Sequence, residues 1–414
     1  MRSDSTTTSI EPRTSRTSTA PPCRALIRDP RNNRRGVRTG CPGRRRGYAR
    51  AGSEASRGAR RPAVDSLPVN VPIGVAIVGA GYWGRNLIRN FLESDQFDVK
   101  WVVDFDEGAA RQVLGSAYPR TRITADVVSA LDDPLVEAIV VATPAVTHAE
   151  LGRRALAAGK HLLVEKPLAH TAEAGRELVD LAAREGLTLM VDHTYCYAGP
   201  VQLLADLVHD ESLGEPLVVH STRINKGLVR LDVDVIWDLA AHDLSILAAL
   251  LPPGIHVESV QAQGADPFAD GHLKEAVLAV HLSNGGLAHI TVSWLSPVKQ
   301  RTMSIVGTKA SVHWDDLDES HRIMMHGFTG TPDLGPASSR EASTRVIRPL
   351  EFTDMTEVPY DTTEALRLMV AEFARAIKTS TSPRTDGAAG MVVLRMLEAA
   401  SESVRHHGAP VKLA

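Results

Sequence analysis

The sequence predicts an α/β chain, with an N-terminal doubly wound parallel sheet followed by an α+β domain on an open antiparallel sheet. Between residues 71 and 193, short apolar runs alternate with helical stretches and no hairpin signal intervenes. That is the pattern of a parallel sheet with crossover helices. Beyond residue 194 the period changes. In "GGLAHITVSW", Ala288, Ile290, Val292 and Trp294 alternate with His289, Thr291 and Ser293, as in a strand with one buried face. Asn284-Gly285 joins this run to "AVLAVHLS" with a hairpin turn signal. At 414 residues, 43% hydrophobic and 23% charged, the chain has the length and composition for two cores.

In chain order, "IGVAIVGAGYWG" is an apolar strand entering a glycine turn, and Leu87, Ile88, Phe91 and Leu92 give the next stretch helical spacing. "VKWVVD", "EAIVVATP", "KHLLVEKP" and "LTLMVDH" read as further buried strands, and "AEAGRELVDLAAREG" as a crossover helix. In the second half "VIWDLAAHDLSILAALL" reads as an amphipathic helix, and "RTMSIVG" and "ASVHWD" continue the meander. "TTEALRLMVAEFARAIK" and "GMVVLRMLEAASESVRHH" close the chain as amphipathic helices. "GFTGTPDLGPASSREAS" is rich in Gly, Pro and Ser and reads as a mobile loop. The domains expected are a basic tail over 1–70, a parallel-sheet domain over 71–193, and an α+β domain over 194–414.

The charge is distributed unevenly. Residues 1–62 hold sixteen Arg, no Lys and four acids, a net +12, so a chain of formal charge -3 has an acidic body of -15. The tail has too few large apolar residues to offset its ordering entropy and is expected to be disordered. An organelle transit segment or a start assigned too far upstream would look the same. An acidic body with 4% aromatics argues against a nucleic-acid partner. No apolar run is long enough to span a bilayer, so no membrane partner is expected. Cys23, Cys41 and Cys196 form neither a disulfide framework nor a zinc spacing, which suits a reducing cytoplasm and no metal.

Gly79-Ala80-Gly81-Tyr82-Trp83-Gly84 fits G-x-G-x-x-G between a strand and a helix. Its glycines permit the turn, the approach of a pyrophosphate and close helix packing, and the helix N-terminus faces the phosphates. Asp104 lies twenty residues beyond Gly84 at a strand end, where a carboxylate accepts bonds from the adenosine ribose and repels a 2′-phosphate. The domain therefore reads as a Rossmann domain for NAD, with NADP disfavoured. Thr143-Pro144 ends the fourth strand and His148 falls in the next helix, as a cofactor contact or a cap. Glu165-Lys166-Pro167 ends the fifth strand, where Pro167 holds Lys166 extended. The lysine either faces the crevice or makes a surface ion pair. Asp238 and His242 stand at i and i+4, as a charge pair or as an oriented acid–base histidine. No third ligand suggests zinc.

Together, these residues resemble the glucose–fructose oxidoreductase / inositol dehydrogenase (Gfo/Idh/MocA) family from about Ile73 to the C terminus. The similarity rests on the glycine turn, Thr143-Pro144 with His148, Glu165-Lys166-Pro167, and Asp238 with His242. It implies an NAD-dependent oxidoreductase acting on a secondary alcohol of a sugar, nucleotide sugar or cyclitol. In that reading His242 is the general base, oriented by Asp238, and Lys166 holds the developing alkoxide and, as a cofactor contact, helps to position nicotinamide. Tyr82, Trp83 and Glu165 join the cofactor contacts, and the open sheet implies a homo-oligomer, a dimer or tetramer. A different class, a non-catalytic NAD-binding sensor or scaffold, needs the glycines more than the acid–base pair. Ala240, Ser245 and the stretch His193 to Tyr197 depart from the family's common pattern, which bears on the substrate. "STRINKGLVRLDVDVIWDLAAHD" is similar to a nucleotide-sugar branch, in which Arg223, Lys226 and Arg230 would meet a pyrophosphate or stay solvated.

The role given to Asp104 has a direct consequence. Replacing it by Ser is expected to weaken NAD far more than NADP, because one loses a ribose partner and the other loses a repulsion. Titration of both cofactors against the variant checks this, and a wild type that already prefers NADP would contradict it.

Overall fold

The computed structural model describes residues 71–115, 118, 120–227, 229–231, 233–328 and 352–413. The expected tail lies outside them, as does nearly all of the expected mobile loop. The first sheet holds β1 (Ile73–Val78), β2 (Phe97–Val103), β3 (Arg122–Thr124), β4 (Ala138–Val141), β5 (His161–Glu165) and β6 (Leu189–Asp192). All pairings are parallel and the order is β3-β2-β1-β4-β5-β6, the doubly wound arrangement whose strand order reverses beside β1. Both faces of this sheet are covered, and β1 and β4 are buried at every position, which explains their unbroken apolar runs.

The crossovers carry α1 (Gly84–Glu93), α2 (Glu107–Leu114), α3 (Val127–Leu131), α4 (His148–Ala157) and α5 (Ala172–Glu185). Local chemistry sets the ends of α5. Thr171 Oγ1 accepts from Ala174 N at 3.2 Å and Gly186 closes the helix in the left-handed region at φ 66°.

After α6 (Gly199–His209), the chain enters a nine-stranded sheet. It contains β7 (Pro216–Lys226), then, beyond α7 (Ala241–Leu250), β8 (Val257–Ala265), β9 (Glu275–Leu282) and β10 (Leu287–Ser293). It continues with β11 (Leu295–Gly307), β12 (Ala310–Asp315), β13 (Ile323–Gly327), β14 (Thr356–Glu357) and β15 (Val411–Lys412). The order is β14-β13-β12-β11-β7-β10-β9-β8-β15. The expected antiparallel pattern holds except for β7 with β10, which are parallel. The chain leaves β7 through α7 and the β8–β9 hairpin, so β10 returns in the direction of β7. Gly285, at φ 82°, makes the expected β9–β10 turn. Ala288, Ile290 and Val292 are buried while His289 and Thr291 are half-exposed, the predicted alternation, which breaks at Ser293, buried beside Trp294.

Two readings of helices change. The helix carrying His242 is not amphipathic: Ala241, Asp243, Leu244, Ser245, Ile246, Leu247 and Leu250 of α7 are all buried. It lies between the sheet core and its neighbouring helices, and its polar residues are held inside by partners. Its entry is also irregular, since Ile236–Ala240 is a π-helical segment, a form found mostly as single turns at functional sites.

The last helices, α8 (Ala365–Thr379) and α9 (Gly387–Arg405), tie the two halves together. Leu366, Met369, Val370 and Phe373 of α8 pack in one core with Ile73, Leu87, Phe91 and Phe97 of the parallel-sheet half. On α9, Met391 and Leu394 join the core of β4 to β6, while Val393, Met396, Leu397 and Ala400 join that of the second sheet. Phe373 is fully buried and stacks on Phe97 at 5.9 Å. Phe373→Ala is therefore expected to cost about 3–5 kcal/mol, measured by urea denaturation. A loss below about 1 kcal/mol would show that α8 does not hold this core.

Candidate active site

The glycine turn has the geometry its residues require. Gly79 sits at φ 103°, and a Cβ there would lie 2.6 Å from Ala142 O; one on Gly84 would lie 2.1 Å from Gly79 O. At Gly81 the space beyond the backbone is open, with nothing within 4 Å, so a phosphate can approach. Asp104 follows β2 and braces the turn: Oδ2 accepts from Ala80 N at 2.6 Å and Oδ1 from Asp106 N at 2.9 Å. The carboxylate keeps further lone pairs beyond these two bonds. These features fit a dinucleotide.

Gly81, Tyr82, Trp83, Thr143, Pro144, Glu165, Lys166, Pro167 and Asp238, all singled out from sequence, line one cleft of about 220 Å³. Tyr82 is 78% exposed at its rim, whereas Trp83 donates from Nε1 to Asp192 Oδ2 at 2.9 Å. Arg230 and Trp237 also line the cleft. A larger cavity of about 630 Å³ lies beyond α7 and is lined by His193, Ser245 and Ala248, but by none of Lys166, Asp238 or His242.

Lys166 precedes a cis proline and donates from Nζ to Asp238 O at 2.9 Å, with Asp238 Oδ1 at 3.5 Å. Its side chain is only 10% exposed, so it is a crevice lysine and not one half of a surface ion pair. Beside it Glu165 Oε2 is buried without a partner. Burial holds the Glu165 carboxyl well above its ordinary pKa, with Lys166 opposing and Asp192 adding to the rise. Asp192 pairs in register with Glu165 across β5 and β6, and burial raises its pKa too, against bonds from Thr194 and Trp83.

Two expected roles change. Asp238, read as the group that orients His242, instead accepts from Trp294 Nε1 at 3.0 Å and faces Lys166 and Arg230, the latter at 3.7 Å. The π-helical turn and the charge of Lys166 draw its carboxylate to the crevice side. His148, read as a cofactor contact, is 1% exposed. Its Nδ1 lies 2.8 Å from Pro167 O and its Nε2 2.8 Å from Thr143 O. The ring thus bridges the ends of β4 and β5, although in its neutral form only one of the two nitrogens can donate. Burial lowers its pKa against those two carbonyls, with Lys166 adding to the fall.

His242 is half-buried and its Nδ1 is enclosed without a partner. Burial first, then Lys166, Arg223, His193 and Arg301, hold its pKa well below the usual value, which keeps the ring in its neutral form. Asp243, the next residue, anchors the helix. Arg223 donates to it from Nε at 2.8 Å and Nη2 at 3.1 Å, and Ser221 Oγ donates at 2.8 Å. Although burial opposes the Arg223 charge, Asp243 and Tyr195 keep its pKa above the ordinary value. Arg223 is therefore not available to a pyrophosphate. Sequence reasoning missed this pair, yet a signal existed: Val219, Ser221 and Arg223 share the inward face of β7 by period two. The π-helical turn, Trp294 as a partner of Asp238, and Arg301 had no such signal.

The chain matches a family model described as an oxidoreductase family with an NAD-binding Rossmann fold over residues 73–193, and its C-terminal α/β domain model over 205–413. It is 27% identical to a UDP-N-acetylglucosamine 3-dehydrogenase of Acidithiobacillus ferrooxidans over 77% of this chain and 93% of that protein. It is 32% identical to inositol 2-dehydrogenase 2 of Saccharopolyspora erythraea over 53% of this chain and 66% of that one. An inositol dehydrogenase homologue from Azotobacter vinelandii, solved with NAD+, shares the fold with a TM-score of 0.68 and 20% identity, over 83% of this chain and 97% of that one.

His193 gives the site a pH signature. Both its nitrogens are buried without partners, and burial, with Lys166 adding to it, pushes its pKa down to about 3. Between its ordinary pKa of 6.5 and about 3 the unfolded chain holds a proton that the folded chain lacks. Stability contributed by the neutral ring is therefore present above 6.5 and is lost as pH falls, by up to about 1.4 kcal/mol per pH unit. His193→Asn should flatten the fall in stability between pH 6.5 and 5, read by urea denaturation at several pH values. An unchanged slope would contradict the neutral ring.

Proposed function

The chain belongs to the Gfo/Idh/MocA oxidoreductase family, and from that premise we propose how its own residues carry out an NAD-dependent oxidation of a secondary alcohol. The substrate class is a sugar, a nucleotide sugar or a cyclitol, in keeping with the names of the relatives. The observation that carries the reading is Lys166, buried in the cleft that holds the glycine turn, with His242 on the helix that follows Asp238.

Bound NAD supplies the hydride acceptor. Gly81 and the start of α1 hold its phosphates, Asp104 its adenosine ribose, and Thr143, Pro144 and Glu165 the nicotinamide end. Lys166 Nζ donates to the substrate oxygen as negative charge develops there. His242 takes the hydroxyl proton at Nε2, because Nδ1 is enclosed. Asp238 holds Lys166 in place through its carbonyl and carboxylate, and Trp83 ties the glycine turn to β6 through Asp192. A sensor that only bound the dinucleotide would need neither the buried lysine nor the unpartnered imidazole.

The open face of the nine-stranded sheet is the proposed contact between copies of the chain. His220 and His289 stack there at 5.4 Å and Val277 is 47% exposed. The proposed compartment is the cytoplasm, in keeping with the free thiol of Cys196. Among the described residues, no helix is long and apolar enough to cross a membrane.

Lys166→Ala is expected to leave NAD affinity within a few-fold and lower turnover by about 10² or more. Lys166→Arg should not rescue it, since a planar fork cannot replace a compact ammonium. Steady-state assays on a panel of sugar alcohols and nucleotide sugars test this, and wild-type turnover in Lys166→Ala would remove the lysine from the chemistry.

A further inference from the structure

The stretch from His193 to Tyr197 has no part in the mechanism above, yet its Tyr195 meets the base. The Tyr195 ring lies edge-on to His242 at 5.1 Å and to Trp314 at 6.4 Å, with the Arg223 guanidinium over its face at 4.4 Å. Its hydroxyl accepts from Arg301 Nη1 at 3.0 Å. Two arginines thus flank one ring, in opposite states. Arg223 is consumed by its two bonds to Asp243. Arg301 has Asp316 Oδ2 no nearer than 3.7 Å, and its Nε is buried with no partner. Trp314 Nε1, beyond another edge of the same ring, is a second buried N–H without a partner.

We infer that Arg301, held by Tyr195, receives an anionic oxygen group of the substrate, a carboxylate or a phosphate, beside His242. The inference rests on the oxidoreductase reading of this crevice and names its substrate class: a sugar or cyclitol carrying an acid. A guanidinium presents its N–H groups in a planar fork that matches two oxygens of one anionic group. A neutral hydroxyl would satisfy one donor and leave the charge with only the distant Asp316 carboxylate at 3.7 Å. Asp316 stands 3.7 Å from Arg301 Nη1, an ion pair beyond hydrogen-bond distance, so it leaves the donors of the guanidinium open. Arg301 touches the substrate in this arrangement, and Tyr195 is a positioning residue that aims it while packing against His242. The anion-binding role that the sequence suggested for Arg223 thus falls to its cross-strand neighbour, for Arg301 pairs with Arg223 in the β11–β7 register.

The test compares four probes on the full-length enzyme with NAD: glucose, glucuronate, and the uridine-diphosphate form of each. Wild type is expected to favour an acid-bearing member over glucose by about 10²-fold or more in kcat/KM, since a site built around a donor rejects the analogue lacking its partner. Arg301→Gln should erase most of that preference through KM. Tyr195→Phe, which keeps the ring against His242, should reduce it less. Dependence on Arg301 with free glucuronate identifies a carboxylate site, and dependence only with the uridine-diphosphate forms identifies a phosphate site. A wild type that favours glucose, or an Arg301→Gln enzyme whose losses are equal on charged and neutral members, overturns the inference. Binding of the same probes to the NADH complex, followed by nicotinamide fluorescence, decides the case without turnover. Affinity for an acid-bearing probe that falls tenfold or more in Arg301→Gln upholds the subsite even if no NAD is reduced, an outcome that would count against the oxidoreductase reading alone. Equal affinity in both proteins overturns the subsite.

Discussion

One buried cation governs the chemistry of this protein. Lys166 sits at the carboxyl end of β5, and its Nζ reaches across to the Asp238 carbonyl in the second half of the chain. A charge so enclosed must be compensated where it stands, and here the compensation comes from a carbonyl and a carboxylate at 3.5 Å. The neighbours record the cost. Burial is the main reason that the pKa values of His148, His193 and His242 are lowered, and Lys166 adds to the fall in each case. Burial also raises Glu165 and Asp192, while Lys166 limits the rise. The site is thus a lysine among imidazoles that resist protonation and carboxyls that resist ionisation.

Such a site needs its two halves held in register, and two devices supply this. The Arg223–Asp243 pair, with Ser221, anchors α7 to β7 one residue from His242. A buried pair of this kind adds little net stability but is costly to break on one side, which suits a part whose task is position. Helix α9 packs on both cores, through Met391 and Leu394 on one face and Val393, Met396 and Leu397 on the other. A shift of either half would therefore disturb a packed interior.

The polar atoms left without partners are not scattered. Among the described residues, the buried side-chain atoms with no hydrogen bond belong to Glu165, His193, His242, Arg301 and Trp314. All five residues surround Lys166 or Tyr195. Folded proteins satisfy nearly all such atoms elsewhere, so their concentration marks the place where the fold has left hydrogen-bonding capacity to a ligand.

The parts of the site that depend on local chain geometry were legible in the sequence. The glycine turn, Asp104 at its strand end, the Thr143-Pro144 and Glu165-Lys166-Pro167 strand ends, and the alternation of β10 all follow from backbone sterics and from periods of two or 3.6. So did the parallel and antiparallel halves. What only the tertiary structure decided is which partner each polar group took, because those bonds span long sequence separations. His148 turned to carbonyls of Thr143 and Pro167, Asp238 to Lys166 and Trp294, and Arg223 to Asp243, leaving Arg301 to face Tyr195. The helix of His242 reads as amphipathic because charged residues recur along it, yet it is buried almost all round, since Arg223 and Ser221 meet Asp243 inside the core. Spacing places a residue on a face, but burial and the nearest opposite charge determine what that face meets.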